Sequence, residues 1–324
     1  MKKGTIITLV VAILLIIAGG TILMLGLSFA GNSEDPVTML TESEHTITEE
    51  FDSILIDTED CEVDFVAFEG TADPHVVIRQ RENTGHSIRV ENGTLKIQMQ
   101  DNRNWRDFVG LGWENMEMTV YLPQKEYTSV RVTTATGHIQ IPEVFQIQEA
   151  ALRSDTGRIV CDANVTKTLS CLTATGGIAV RSAAAEIMTL ESDTGRIHLS
   201  NATGTELHLE NDTGRTEMEN VNCTLLTCES ETGDVTLRNV LAEDYLQVFT
   251  DTGDILIENS DAGQVNIETD TGDVSGNFLT SKWFQARSDT GRVSVPNTRE
   301  GGECRIETDT GDISFFYDGS QTIR

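Results

Sequence analysis

Apolar residues in this chain recur on a frame set by Thr-Gly dipeptides. Their glycines fall at Gly137, Gly157, Gly176, Gly195, Gly214, Gly233, Gly253, Gly272, Gly291 and Gly311, always 19 or 20 residues apart. Apolar columns stand two and four residues after each glycine and five and seven before it. Leu207 and Leu209 precede Gly214 in this way, and Ile255 and Ile257 follow Gly253. Across the four columns only Thr216 and Gly276 are not apolar. Apolar positions two apart, with polar residues between, are the period of a strand with one buried face. A helix has no such period.

Columns that repeat every 19 residues need the same surroundings each time. A β-solenoid supplies them, because each repeat is one coil and each column stacks on itself. A propeller blade needs about 40–45 residues, and a leucine-rich repeat needs its own Leu/Asn pattern. Neither fits. The chain is therefore predicted to be all-β, a parallel β-solenoid (β-helix) with ten Thr-Gly coils over residues 131–324. Coils rise by about 4.8 Å, so ten make a rod about 48 Å long, and the crossover rule favours a right-handed winding. Seven of the ten turns read Asp-Thr-Gly. Glycine takes a positive φ cheaply, and the Asp can bond its own turn. Three residues before the glycine stands Ser or Thr in nine coils, with Asn211 the exception. These hydroxyls are expected to bond one another as a ladder.

Residues 49–130 alternate less regularly. Phe51, Ile54, Ile56, Val63 and Phe65, then Val76 to Ile78, then Met118 to Leu122, read as strands with longer connections. They are predicted to begin the solenoid and cap its first coil, since an open sheet edge invites association. The stretch 102–115 carries Trp105, Phe108 and Trp113. It is expected to plug the cap rather than form an exposed loop, because large exposed apolar patches are rare.

The N-terminus breaks the pattern. After Lys2 and Lys3, residues 5–30 carry no charge and are mostly Ile, Leu, Val, Ala and Gly. A bilayer core needs only about 20 helical residues, so residues 1–30 are predicted to be a transmembrane anchor. The lysines hold its start in the cytoplasm and leave the rest outside, a single-pass cell-membrane protein. The rival is a cleaved signal peptide ending at Ser28-Phe29-Ala30, whose apolar region would be only about 7–15 residues. Residues 31–48 read as an acidic linker. The first cysteine is Cys61, too distant for a lipoprotein signal.

Charge narrows the partners. Lys plus Arg number 23 against 52 Asp plus Glu, a formal charge of −29. Such a surface repels phosphate backbones, so no nucleic-acid partner is expected. It attracts cations.

The strand end Tyr121-Leu122-Pro123 runs into Val130-Arg131-Val132 and Thr136-Gly137, followed by Thr/Ser-Asp-Thr-Gly-Asp/Arg-Ile/Val turns. In these the chain resembles the bacterial putative-adhesin family of β-strand-repeat domains of unknown function, over residues 49–324. The resemblance implies a β-helical fold and a cell-envelope location. It brings no catalytic residues.

Candidate chemistry is sparse. Asp-Thr-Gly is also the aspartic-protease triplet, but that reaction needs two carboxylates about 3 Å apart in a dry cleft. Seven copies spread over the ten turns are read as solvated turns. Cys161, Cys171, Cys228 and Cys304 occupy apolar columns and are expected as buried thiols, while Cys161–Cys171 and Cys223–Cys228 are the pairs that sequence alone leaves open. There is no Cys-x-x-Cys zinc pair, metalloprotease histidine spacing or phosphate loop. The residue after each glycine changes from His138, Arg158, Arg196 and Arg215 to Asp234, Asp254 and Asp273, with Arg292 before Asp312. Stacking would bring Asp251, Asp254, Asp270 and Asp273 together, a candidate calcium site by oxygen supply alone.

The functional expectation is a membrane-anchored, extracytoplasmic, non-catalytic solenoid acting in adhesion, envelope scaffolding or envelope sensing. A cell-wall glycan or surface protein is the expected partner, and no cofactor beyond calcium. The alternative is a polysaccharide-binding or polysaccharide-degrading enzyme on the same scaffold, which would need a groove built by long loops with aromatic platforms.

Overall fold

Inward columns of Leu, Ile, Val and Cys can be dry only if each coil lies flat on the next. A computed structural model of the chain, describing residues 40–70, 72–81, 84–101 and 116–317, shows that arrangement. Its described residues form 24 strands and no helix. The expected anchor 1–30, the start of the linker and the stretch holding Trp105, Phe108 and Trp113 lie outside them. No described helix is long and apolar enough to cross a membrane.

Parallel pairing puts like on like. Leu190 faces Leu209, Leu209 faces Cys228, then Val248, Ile267 and Ile306 continue the column. Leu207 and Leu209 are buried, while the intervening His208 points outward and is half-buried. One hydrophobic core runs unbroken from Ile47 to Phe315.

The glycines are required by close approach more than by φ. A Cβ on Gly195 would lie 1.9 Å from the carbonyl oxygen of Gly176, and one on Gly233 1.7 Å from that of Gly214. The same contact recurs at Gly157, Gly253 and Gly272, so glycine carbonyls run up the rod as a spine. That spine corrects the hydroxyl ladder. Ser154 Oγ donates to Gly137 O at 2.9 Å, Thr173 to Gly157 O at 3.1 Å and Ser192 to Gly176 O at 3.0 Å. In these coils the buried hydroxyl serves the glycine carbonyl of the coil before it, whereas the hydroxyls of Ser230 and Thr250 in the same column are buried without a partner.

The two irregular positions of the Gly214 coil compensate one another. Asn211 Nδ2 reaches Gly195 O at 3.0 Å, in place of the usual hydroxyl, and Thr216 Oγ1 at 3.4 Å. Thr216 is thus a buried polar residue with a partner. A second ladder forms at the next corner. Asn201, Asn220, Asn239 and Asn259 take φ of 49–55°, a region asparagine tolerates. Asn220 Nδ2 donates to Asn201 Oδ1 at 3.1 Å, and Asn239 Nδ2 to Asn220 Oδ1 at 3.0 Å.

Both ends of the stack depart from chain order. Ser53–Asp57 lies between Thr94–Asp101 and Glu126–Thr134, so the chain's first coil is second in the stack. At the other end Gly302–Thr310 lies between the Gly272 coil and Lys282–Thr290. The last coil is again the one tucked inside. Strands within residues 53–134 thus lie at the start of the stack. Its outermost edges there are covered by antiparallel strands, His75–Arg81 on Met116–Pro123 and Thr84–Glu91 on Thr94–Asp101. Leu40–Thr46, within the stretch read as linker, pairs antiparallel with His75–Arg81. Its alternating pattern is faint, with only Leu40 and Ser43 half-buried, which is why the sequence reads as linker there.

Candidate functional site

Outward side chains repeat once per coil, so the surface consists of ladders. The ladder following the glycines carries the strongest charges. Asp234 Oδ1 accepts from the backbone N–H of Asp254 at 3.3 Å, and Asp254 Oδ1 from that of Asp273 at 2.8 Å. Asp273 Oδ1 then accepts from Asp312 N at 2.7 Å, and Asp312 Oδ1 from Arg292 N at 2.8 Å. The backbone N–H and the guanidinium of Arg292 hold the Asp312 carboxyl below its usual range. His138 begins the series by accepting from Arg158 N through Nδ1 at 2.9 Å. These carboxylates clip coil to coil.

Stacking does place Asp251 and Asp254 on the coil next to Asp270 and Asp273, since Thr252 faces Thr271. One oxygen each of Asp254 and Asp273 is occupied by a backbone N–H, and all four residues are exposed. Among the described residues, the group that brings three ligand atoms within 4.8 Å of one another is Glu191, His208 and Glu210 instead. It sits on the outward face of two adjacent coils, where His208 also bonds Thr227 Oγ1 at 2.9 Å.

The cysteines are six free, buried thiols. Burial pushes those of Cys61, Cys161, Cys228 and Cys304 up to about 12 and Cys223 to about 11, so they are unreactive packing groups.

Sequence reasoning passed over Lys282. Its side chain is 3% exposed, and its ammonium donates to Ala262 O at 2.7 Å, to Thr280 Oγ1 at 2.9 Å and to the Asp261 carboxylate. The pair borders a hollow of about 540 Å³ that also touches Cys223, Leu241 and Glu243. The available signal was positional: Lys282 occupies the place held by Gly263 and Gly302 in the neighbouring coils. All three ammonium protons are taken, so this lysine is a buried tie.

The family description Toastrack DUF4097 matches residues 51–222 and again 207–324. The chain belongs to that family. Among solved structures, this Toastrack chain is similar to a putative adhesin from Bacteroides fragilis NCTC 9343, at 12% identity over 87% of this chain and 99% of that one, TM-score 0.42. A putative adhesin from Parabacteroides merdae ATCC 43184 is 15% identical over 74% and 97% of the two chains, TM-score 0.41. A putative lipid binding protein from Parabacteroides distasonis ATCC 8503 has the same identity and coverage, with TM-score 0.43. No curated protein sequence matches the chain.

Proposed function

We propose that this Toastrack solenoid is a non-catalytic binding rod of the cell envelope, acting in adhesion, scaffolding or sensing. Residues 1–30 hold it in the membrane and the rod stands outside. The observation that carries the reading is the periodic ladder surface. From Gly137 to Gly272 the coils pair in parallel, shifting register only at bulges between Ile147 and Glu149, Cys223 and Leu225, and Ala242 and Tyr245, and outward side chains repeat at the coil spacing of about 4.8 Å. A periodic surface of this kind matches a repetitive or extended partner. The test is a glycan and cell-wall binding array with the purified chain, run with and without calcium, since Asp251 and Asp270 are exposed on neighbouring coils. Retention on a defined wall component supports the reading, and uniform absence of retention defeats it. N-terminal sequencing of the native protein checks the anchor: a mature chain starting at Gly31 means cleavage.

The enzyme reading is favoured by one observation, the Asp261–Lys282 pair beside its hollow. The lysine's full set of acceptors argues for a structural tie. Release of reducing ends from acidic polysaccharides, lost in Lys282→Met with the fold retained, would reverse that assignment.

A further inference from the structure

A second hollow, of about 490 Å³, lies where the ladder following the glycines is basic. Its origin is two missing side chains on one coil. Gly177 stands between Arg158 and Arg196, and Ala179 faces Val160 on one side and His198 on the other. The floor is therefore Ile178 and Ala179, both buried although Ala179 points outward. Arg158, Arg181, Arg196 and His198 surround it.

These cations are only loosely engaged. Arg181 approaches Asp162 at 3.5 Å, and Arg196 approaches Glu217 at 3.9 Å. Both distances lie beyond good hydrogen-bond geometry, so guanidinium donors remain to be satisfied by water or ligand. The carboxylate lining the hollow, Glu217, is shared among Arg196, His198 and Arg215. Three arginines against Glu217 and the neighbouring Asp162 leave a local positive balance on a chain whose total charge is −29.

We propose that this notch binds an oxyanion group, phosphate or sulfate, carried on a small ligand or at the end of a chain. Guanidinium is suited to the task because its planar fork gives paired N–H donors to oxyanions. Arg158 and Arg196 sit two coils apart, about 9.6 Å along the rod, a span that their side chains close around one group. A continuous polyanion is disfavoured, because the same ladder turns acidic at Asp234, two coils from Arg196, and stays acidic at Asp254 and Asp273. The small apolar floor suits a sugar or alkyl carrier. Binding of the free anion is read on the purified protein, so the outcome is independent of the adhesion reading.

Titration calorimetry of the full-length chain in detergent, with inorganic phosphate, sulfate, a hexose phosphate and long-chain polyphosphate, tests the site. The hexose phosphate is expected to bind most tightly, and binding is expected to weaken with salt. Gly177→Asp refills the ladder with the side chain its acidic coils carry; a Cβ there would approach Arg196 O to 3.3 Å, a tight contact that needs the Arg196 backbone to move by a few tenths of an ångström, so the variant's fold is checked by circular dichroism. It should weaken binding at least about tenfold, as should Arg158→Gln/Arg196→Gln, which leaves the glycine in place. Arg292→Gln, on the distant end coil, should bind as wild type. Absence of binding by all four anions, or undiminished binding in a folded Arg158→Gln/Arg196→Gln protein, overturns the proposal. Tightest binding by long-chain polyphosphate overturns the restriction to a single group.

Discussion

At the scale of single residues, the turns are governed by backbone contact. The glycines at 214 and 233 touch through a carbonyl that leaves no room for a Cβ, whereas Gly85 has nothing within 4 Å of one. Gly233→Ala should therefore cost more than about 3 kcal/mol, and Gly85→Ala should stay within about 0.5 kcal/mol. Denaturant melts of the two variants check the contrast, and equal midpoints would refute the contact argument. His86 supplies a pH dependence. Its Nδ1 lies 2.7 Å from Gln80 Oε1 and its Nε2 3.1 Å from Thr58 Oγ1, partners that suit a neutral ring. Burial, reinforced by His45, lowers its pKa from 6.5 to about 4. Between those values the unfolded chain binds a proton that the folded chain does not, so stability falls as pH drops from 6.5 toward 4. Melting scans across that window should show a slope that His86→Gln reduces; an unchanged slope would place the titration elsewhere.

At the scale of elements, the coil pattern was legible and the stacking order was not. Every Thr-Gly coil carries the same columns, so the pattern allows any coil to lie on any other. Particular contacts decide. A Cβ on Gly302 would sit 1.9 Å from Gly263 O, so that seat admits glycine and excludes Lys282. The last coil consequently lies on the Gly272 coil, and Lys282–Thr290 is pushed to the end. Deleting residues 302–324 should then strip Lys282–Thr290 of its only parallel neighbour among the described residues. Hydrogen exchange of that strand is expected to rise to the level of unstructured chain, while the Gly253 coil stays protected. Retained protection at 282–290 would mean that the coils stack in chain order.

At the scale of the whole molecule, charge opposes the compact state. A net −29 with acidic ladders at about 4.8 Å spacing repels itself, and clips such as Asp254 to the Asp273 amide offset only part of that. Raising ionic strength from about 0.01 M to 0.15 M shortens the screening length from about 30 Å to 8 Å. The melting temperature should rise by about 2–4 °C, the shift equivalent to about 1 kcal/mol in a domain of this class. A fall with salt would show that surface ion pairs such as Arg238–Glu258 outweigh the repulsion.

The sequence by itself determined the fold class, the coil length, the inward columns and the burial of Cys161, Cys171, Cys228 and Cys304, because each of these depends on a period that recurs ten times. It also carried the asparagine corner, in Asn201, Asn220 and Asn239 at matching offsets, though that polar column has no apolar period to draw the eye. Tertiary structure alone decided what each polar group touches. The turn hydroxyls go to glycine carbonyls and the ladder aspartates to backbone amides, because coils approach closely enough for main chain to compete with side chains. It alone decided the exchanged ends, since a repeat specifies neighbours of the right kind without naming which ones. It alone made the arginine notch, which is formed by what Gly177 and Ala179 lack and becomes visible only when the coils on either side are in place.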